Sequence, residues 1–456
     1  MNKSTILTIA GAMASFTAVS APPRPNLVLF LADDCSYNDI GIYGSRDSKT
    51  PHIDQFATES IRFTRGYQAA PMCSPTRHNL FTGIWPVKTG AYPNHTMARE
   101  GTKSIVHHLK PAGYRIALIG KSHIQPQSVF PFEYVPITKE SELNFAAIDT
   151  FITSCTRSNT PFCLFVTSVQ PHTPWNKGNP SMFDPQKITL PPIYVDTKET
   201  RKEFCKYLAE VSYMDSEFGK LLSRIDEHKQ RDNTVVVYLS EQGNSLPFSK
   251  WTCYDVGVHS AFMVRWPGKI KPGIVSDAIV EYCDITPTFV DIAGVNPVCK
   301  MDGQSILPLL LQKTNEGKKY TFSLQTTRGI IKGSEYFGIR SVADNKYRYI
   351  VNLTPEMTFK NMATNSPLFI SWLKQSETDT KAKEITRRYQ HRPPVELYDL
   401  GEDLYCLNNL ADRPESKKVI ERMDKALKEW MVYCGDKGQE TEMDALKHMP
   451  KYSKEE

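Results

Sequence analysis

The chain of 456 residues is long enough for one large domain and a smaller one. Hydrophobic residues make up 40% and charged residues 23%, which is typical of a globular protein and excludes a disordered or fibrous one. The formal net charge of +5 is small and the basic residues are scattered, so the charge suits an anionic substrate and gives no support to nucleic-acid binding.

The first 21 residues have the pattern of a secretory signal peptide. Lys3 precedes the apolar run ILTIAGAMASFTAV, and the small residues VSA at 19–21 resemble a cleavage site. The run is short for a membrane span and no later segment is longer and equally apolar, so we expect no integral membrane segment. A retained N-terminal anchor is the minor alternative. The pattern predicts a secreted or periplasmic protein.

Four apolar runs each end in side chains that can take part in chemistry. Short runs of Val, Ile and Leu between helical patterns indicate an α/β fold with a large, mainly parallel sheet covered by helices on both faces. Ligands of such sheets bind at the carboxyl ends of the strands, so we expect one site there. The runs are NLVLFLADD with Asp33 and Asp34, YRIALIGKSH with Lys121 and His123, PFCLFVTSVQPH with His172, and TVVVYLSEQG with Glu241 and Gln242.

The stretch Cys73-Ser74-Pro75-Thr76-Arg77 follows the first of these runs. Ser74 is a favourable N-cap and Pro75 suits the first helical position, so we expect a helix with Cys73 just ahead of its N-terminus. Free backbone N–H groups at that point favour anions. A lone cysteine is more often a small buried hydrophobe, so the motif alone leaves a structural and a functional interpretation evenly balanced.

The ten cysteines are scattered and form no recognisable framework. No CxxC pair occurs, so we expect no structural zinc site. An exported protein can form disulfides, but nine cysteines remain when Cys73 is set aside, and an odd number leaves at least one other thiol free. Which cysteines pair is left open.

The pattern changes near residue 315. YFGIRSVADNKYRYIVNL alternates as antiparallel strands do, and ESKKVIERMDKALKEWM has helical periodicity. We therefore predict a signal peptide at 1–21, a catalytic domain at 22–315, and a smaller C-terminal α+β subdomain with an antiparallel sheet and a helix at 316–456.

Together these motifs resemble the formylglycine-dependent sulfatases of the alkaline-phosphatase-like superfamily, in particular secreted bacterial sulfatases of carbohydrates. Cys73–Arg77 matches the C-x-P-x-R signature, in which the cysteine is oxidised to formylglycine, and GIWPVKTG follows it as in the family. PNLVLFLADD, TPHIDQFA, GKSH, PHTPW, MVRWPGKI, DGQSILPLL and ELYDLGEDLYCLNNLAD occur in family order. The resemblance implies an alkaline-phosphatase-like fold, hydrolysis of a sulfated mono-, oligo- or polysaccharide, and a maturation enzyme that generates formylglycine.

The resemblance also implies a role for each reactive residue. Hydrated formylglycine at position 73 would be the nucleophile, and loss of a proton from its second hydroxyl would release sulfate after the ester oxygen has left. Arg77 would hold the nucleophile, His123 would accept that proton, and His172 would protonate the leaving oxygen. The residues that bind the substrate would be Lys121, His172 and Lys250.

The implied cofactor is a divalent cation bound by oxygen, Ca²⁺ in preference to Mg²⁺. The family's fourth strand usually ends Ser-Asp-His/Asn-Gly, whereas this chain has Ser240-Glu241-Gln242-Gly243. Carboxylate and amide are kept but each is one methylene longer, and Ca²⁺ tolerates irregular geometry. The ligands carried over from the family are Asp33, Asp34, Cys73 as formylglycine, Glu241 and Gln242.

Three further positions stand near these motifs. Ser122 replaces the aromatic residue of the common GKWH pattern, and we expect this to alter packing rather than chemistry. Trp251 and His259 lie close in sequence to Lys250, where a place near the pocket and a place in the core are equally expected.

Two other functions stay open at this point. A phosphonate or phosphodiester hydrolase can use the same modified cysteine, and a degenerate relative could bind sulfated glycans without cleaving them. The longer Glu241–Gln242 pair is the only support for the second alternative, since every reactive position carries a suitable group. The sugar, the position of its sulfate and exo or endo action are not determined.

Overall fold

The computed structural model describes residues 24–140 and 142–450, so the signal peptide predicted at 1–21 lies outside the described residues. The described strands form one large and one small sheet. They are β1 (Asn26–Asp33), β2 (Ile61–Tyr67), β3 (Arg115–Gly120), β4 (Glu133–Val135), β5 (Phe162–Thr167), β6 (Thr234–Glu241), β7 (His259–Arg265), β8 (Ile274–Glu281), β9 (Thr321–Gln325), β10 (Ile339–Ala343), β11 (Tyr347–Asn352) and β12 (Val395–Asp399).

Helices cover both sheets. The α-helices are α1 (Pro51–Thr58), α2 (Cys73–Thr82), α3 (Pro86–Thr89), α4 (Ile105–Leu109), α5 (Phe145–Arg157), α6 (Lys198–Glu227), α7 (Asp255–Val258), α8 (Ile285–Ile292), α9 (Leu307–Leu310), α10 (Pro367–Gln375), α11 (Thr380–Gln390), α12 (Lys417–Cys434) and α13 (Gln439–Met443). Short 3₁₀ helices lie at Tyr37–Asp39, Gly41–Tyr43, Lys110–Ala112, Pro180–Met182, Arg231–Asn233, Tyr282–Asp284, Met362–Asn365, Pro414–Ser416 and Asp444–His448.

The large sheet has eight strands in the order β4-β3-β5-β1-β6-β7-β2-β8. Strands β4, β3, β5, β1 and β6 run parallel, and β7 is antiparallel to both of its neighbours. The predicted mainly parallel sheet is therefore confirmed. Because β1 lies between β5 and β6, the carboxyl ends of the runs that carry the predicted site residues are neighbours.

Strand β1 is buried on both faces, which explains its unbroken apolar sequence. Val28 and Phe30 face one hydrophobic core together with Leu208 of α6. Leu29 faces a second core that includes Phe289 of α8. The sheet is thus covered by helices on both sides, as the sequence predicts.

The small sheet is antiparallel, with the order β12-β11-β10-β9. The alternating stretch predicted near residue 340 forms β10 and β11, and the periodic stretch near residue 420 forms α12. Trp430 of α12 stacks on Phe322 of β9, with ring centroids 5.1 Å apart. The sheet begins at Thr321, close to the boundary at 316 that remains a prediction.

Polar contacts join the small sheet to the large sheet and to the elements beside it. The Arg348 guanidinium of β11 forms a buried ion pair of 2.8 Å with Asp255 of α7. The backbone N–H of Leu324 donates to the carbonyl of Ala69, which follows β2, over 2.9 Å.

All ten cysteines lie within the described residues and each is free. Over those same residues, every helix is too short or too polar to cross a bilayer.

Candidate active site

The site lies at the carboxyl end of β1 and the strands beside it. Asp33, the last residue of β1, is directly opposite Glu241, the last residue of β6, in the parallel register. Asp34 and Gln242 follow them with φ of 61° and 39°, and His123 beyond β3 has φ of 52°. Such left-handed backbone costs roughly 1–2 kcal/mol per residue in general. It turns the chain sharply, so the polar side chains point back over the sheet edge.

Helix α2 begins at Cys73, with Met72 in extended conformation at the N-cap position. The helix thus starts earlier than Ser74 and Pro75 predict, and Cys73 is its first residue rather than the residue ahead of it. Every residue of α2 is buried, so the helix lies inside the core beside the edge of the sheet. Arg77 follows Cys73 by about one turn and therefore points to the same region.

The Cys73 sulfur lies at the centre of a polar cluster. Its Sγ atom is 3.3 Å from Asp33 Oδ1 and 3.0 Å from Gln242 Nε2. The Nζ atoms of Lys121 and Lys250 lie 3.7 and 3.6 Å from the same sulfur. Burial raises the pKa of the Cys73 thiol to about 12, and Asp33 adds to the rise. The unmodified thiol is therefore protonated and a poor nucleophile at neutral pH.

Basic side chains pair with the aspartates beneath the sulfur. Lys121 forms a short ion pair with Asp33, and Lys250 lies 2.8 Å from the Asp34 carboxylate. Burial by itself raises the pKa of both aspartates, but these lysines and His172 together hold each pKa below its ordinary value. Both carboxyl groups are therefore ionised in the folded protein.

Arg77 and Glu241 form a buried, two-pronged pair. Arg77 Nε is 3.1 Å from Glu241 Oε1, and Nη2 is 2.5 Å from Oε2. Arg77 Nη1 also donates to the carbonyl of Lys121 over 2.5 Å. Burial raises the pKa of Glu241 and the guanidinium opposes that rise. Both carboxylate oxygens of Glu241 thus face Arg77, which ties the ends of β6 and β3 to α2.

The two predicted histidines are held differently. The Nδ1–H of His172 donates to the carbonyl of Thr173 over 2.6 Å, and its Nε2 lies 3.6 Å from Asp34 Oδ2. His123 Nε2 is 2.9 Å from His95 Nδ1, while its own Nδ1 is buried and has no hydrogen-bond partner among the described residues. Burial lowers the pKa of both predicted histidines.

The donor set fits a hard cation better than a soft one. Ligand atoms of Asp33, Cys73 and His172 lie within 4.8 Å of one another. Gln242 directs Nε2 towards Asp34 Oδ1 at 2.6 Å, and its Oε1 is buried with no hydrogen-bond partner in the described part of the chain. Half a turn of this amide would direct that oxygen to the side of Asp34 and Cys73, and oxygen is the ligand that Ca²⁺ and Mg²⁺ prefer. Among the described residues, the carboxylate of Glu241 is hydrogen-bonded to Arg77 and contacts the cluster only through it.

A cavity of about 760 Å³ opens above this cluster, and we call it the active-site cavity. Five of the predicted residues line it: Cys73, Lys121, His123, His172 and Lys250. The other five are fully buried beneath it: Asp33, Asp34, Arg77, Glu241 and Gln242. Trp251 also lines the cavity. His259 is instead paired with Asp255 at 2.8 Å and stacked on Tyr37, so it belongs to the core.

Several lining residues were not singled out from the sequence. Asn94 and His95 come from the loop after α3, and Met362, Ala363 and Ser366 come from the C-terminal part of the chain. Ser245 also lines the cavity, and its hydroxyl donates to Asp34 over 2.6 Å. Ser245 could have been suspected from its place shortly after Gln242, whereas the others follow no motif.

Two family models match the chain. The model described as "Sulfatase" covers residues 25–295, and the model described as "N-sulphoglucosamine sulphohydrolase, C-terminal" covers residues 243–360. The first spans the large sheet and all ten predicted site residues.

Individual proteins are similar over most of the chain. An ulvan-active sulfatase of Formosa agariphila is 33% identical over 421 residues, which cover 91% of this chain and 81% of the relative. The N-sulphoglucosamine sulphohydrolase of Homo sapiens is 26% identical over 90% of each chain. The crystal structure of a phosphonate monoester hydrolase of Agrobacterium radiobacter superposes with a TM-score of 0.68 at 15% identity, over 90% of this chain and 96% of that one. That last likeness shows a shared fold.

Proposed function

The chain belongs to the sulfatase family, and from that premise we propose that it removes sulfate from a sulfated carbohydrate through a formylglycine made from Cys73. One observation carries the proposal. The Cys73 sulfur is buried among two lysines and an ionised aspartate, in an environment that keeps the thiol protonated. A protonated thiol does not attack sulfur, whereas the hydrated aldehyde of formylglycine supplies two hydroxyl groups on one carbon.

The sulfur atom marks where the oxygens of the modified residue would lie. Lys121 and Lys250 lie within 3.7 Å of that point and also border the open cavity. Their positive charges would bind the sulfuryl oxygens of the substrate. Arg77 would hold the nucleophile in place from below, because its side chain is fully buried one turn along α2.

The two histidines would handle the protons. The Nδ1–H of His172 donates to the Thr173 carbonyl, so Nε2 is the nitrogen that would give a proton to the leaving oxygen. The negative charge of a bound sulfate ester would offset the effect of burial on the pKa of His172. His123, which also lines the cavity, would accept the proton of the second hydroxyl when sulfate is released.

A divalent cation belongs to the family's chemistry, and we propose Ca²⁺ for this chain. Asp33, Asp34 and Gln242 would hold it together with the modified residue 73, and Glu241 is a further candidate if its pair with Arg77 opens. The cation would supply positive charge that orients the nucleophile and a sulfate oxygen. The proposal also includes a maturation enzyme that generates formylglycine. It includes export to the periplasm or the medium, which rests on the sequence of residues 1–21.

The carbohydrate substrate rests on the relatives. One is named as active on ulvan, and another is a sulphohydrolase of N-sulphoglucosamine. A phosphonate or phosphodiester hydrolase is the second candidate, because the fold is shared with a phosphonate monoester hydrolase. Sulfated sugars, phosphonate esters and phosphodiesters offered side by side would separate the two functions.

Mass spectrometry of the peptide that contains MCSPTR tests the central claim. We expect formylglycine at position 73 in active protein, and no activity in Cys73→Ala. Cys299→Ala is the matched control, since Cys299 is a partly exposed cysteine outside the active-site cavity, and it should retain full activity. Full activity of protein that carries only unmodified Cys73 would contradict the proposal.

A further inference from the structure

A second cavity of about 380 Å³ adjoins the active-site cavity. The two cavities share His95, Ser122 and His123 as lining residues. The outer walls of the second cavity come from the C-terminal part of the chain and include Ile331 and Met449. The second cavity is therefore adjacent to the site at Cys73, on the far side of the shared residues.

Ser122 lies at the border that the two cavities share, and we call this border the passage. It follows Lys121 directly and lines both spaces, although its side chain ends in a single hydroxyl. An indole or phenyl ring at this position is several times larger and would fill part of the passage. A serine at this position, where the GKWH pattern has an aromatic residue, thus leaves more room at the passage.

The second cavity offers the contacts that a sugar ring needs. Ser122 and Gln125 supply a hydroxyl and an amide group, which can donate to and accept from sugar hydroxyls. Ile331 and Met449 supply carbon surface for the C–H face of a pyranose. Burial lowers the pKa of His95, so its imidazole is neutral and adds another uncharged polar group. The two lysines that face Cys73 line the active-site cavity and not this one.

Two hydrogen bonds to the main-chain carbonyl of His448 hold the wall of the second cavity in place. The backbone N–H of Met97 and the hydroxyl of Thr96 both donate to the carbonyl of His448, over 3.0 and 3.1 Å. The loop that carries His95 is thereby fastened to the segment that carries Met449. Such a wall is pre-formed, which lowers the entropic cost of binding.

We propose that the second cavity binds the sugar unit next to the sulfated one, so that the preferred substrate is at least a disaccharide. The proposal rests on the function proposed above, because it assumes that the sulfate is bound at Cys73. It assigns the active-site cavity to the sulfated unit and the second cavity to a neighbour recognised through its hydroxyl groups and its C–H face.

The test compares kcat/KM for sulfate release from a sulfated monosaccharide and from disaccharides that extend it at either end. In the wild-type enzyme we expect one disaccharide to exceed the monosaccharide by about tenfold, equivalent to about 1.4 kcal/mol. Equal values for all of them would overturn the inference. No sulfate release from any of them, together with turnover of a phosphonate ester, would instead overturn the proposed function on which it rests.

Two variants probe the cavity itself. Ser122→Trp should close the passage and lower the ratio of disaccharide to monosaccharide kcat/KM to about one. Ile331→Ala should lower the same ratio about threefold by removing carbon surface from a residue that is 64% exposed and lines only the second cavity. The ratio is the readout, because a structural defect would lower both rates together.

Ile370→Ala is the matched control, since Ile370 is 57% exposed and lines neither cavity. Its ratio should stay at the wild-type value. If Ser122→Trp does not fold, the comparison of Ile331→Ala with Ile370→Ala decides the question. An unchanged ratio in Ile331→Ala and in a folded Ser122→Trp would contradict the inference.

Discussion

At the scale of single residues, the chemistry of the site depends on how burial and charge combine. Asp34 is fully buried, yet Lys250, Gln242 and Ser245 all contact it, so its carboxylate is stable as an anion. Cys73 also contacts Lys250 and Gln242 but is not stabilised as a thiolate, because burial disfavours its charged form and Asp33 repels a second negative charge. Adjacent buried groups therefore have opposite protonation states.

His172→Ala should separate leaving groups. A sugar alkoxide is strongly basic and needs a proton as the S–O bond breaks, whereas an activated phenol leaves as a stable anion. We expect a loss of about 10²–10⁴ in kcat on a sulfated sugar and a much smaller loss on an activated aryl sulfate. Lys121→Ala is the comparison variant and should impair both substrates, since sulfuryl charge must be stabilised whatever leaves. Equal losses of His172→Ala on the two substrates would exclude this histidine as the acid.

Asp34→Asn should remove the divalent cation. The substitution keeps the shape of the side chain but removes the charge that a hard cation requires. Metal content after dialysis, measured by mass spectrometry, should fall at least about tenfold, and sulfate release should fall with it. Ser245→Ala removes only one hydrogen bond from Asp34 and should retain the metal. A wild-type enzyme that is active and metal-free after chelation would contradict the assignment.

At the scale of elements, the site is assembled from pieces that are distant in the chain. Strands β1, β3 and β6 and helix α2 each deliver one or two side chains to the same edge of the sheet. The C-terminal 3₁₀ helix, Asp444–His448, fixes the loop that carries His95, because the His448 carbonyl accepts two hydrogen bonds from that loop. We call these two hydrogen bonds the clasp. The 3₁₀ helix belongs to no sheet, so its removal should affect the loop before it affects the fold.

Truncation after Met443 tests this clasp. Loss of residues 444–456 removes both hydrogen bonds to the loop, and small misplacements near a reacting centre can cost about 10²-fold. We expect kcat/KM on a sulfated disaccharide to fall about 10–100-fold, mainly through KM, with the far-ultraviolet circular dichroism unchanged. A truncation after Pro450 keeps the clasp and should behave as the full chain. Loss of secondary structure in the first truncation would show that the segment is needed for folding instead.

At the scale of the whole molecule, buried acids fasten the large sheet to its helices. Glu217 of α6 accepts a hydrogen bond of 2.6 Å from Ser168, which follows β5. Burial raises the pKa of Glu217 from 4.5 to about 7. Burial likewise raises the pKa of Asp39 to about 6, although Asn244 donates to it. Each acid keeps its proton in the folded protein over a range where the unfolded chain has lost it.

Glu217→Gln should therefore change the dependence of stability on pH. Because the folded-state pKa is above the unfolded one, wild-type stability falls as pH rises from about 4.5 to about 7 through this group. Glutamine imitates the protonated acid, so the variant should gain on the wild type over that window, by at most about 3 kcal/mol. Urea unfolding at several pH values measures this difference.

Glu421→Gln on α12 is the control, since it changes an exposed carboxylate and should leave the pH dependence as in the wild type. A difference between Glu217→Gln and the wild type that is the same at pH 4.5 and pH 7.5 would contradict the assignment of a raised pKa to Glu217.

The sequence by itself determined the large parallel sheet and the positions at which its chemistry lies. Apolar runs such as NLVLFLADD report burial on both faces, and the carboxyl ends of parallel strands must meet at one edge. Asp33, Lys121, His172 and Glu241 could therefore be assigned to one place from local patterns and the family resemblance. The alternation of β10 and β11 and the periodicity of α12 are equally local, so the small sheet was predicted as well.

Only the tertiary structure decided which groups face each other. It pairs both oxygens of Glu241 with Arg77. It leaves Gln242 Oε1 without a hydrogen-bond partner among the described residues. It also brings His95 to His123, which is 28 positions away in the sequence. It also opens the second cavity between Ser122 and residues near 331 and 449. These contacts join segments with no common periodicity, and their geometry follows from how side chains of given size fill the space between packed elements.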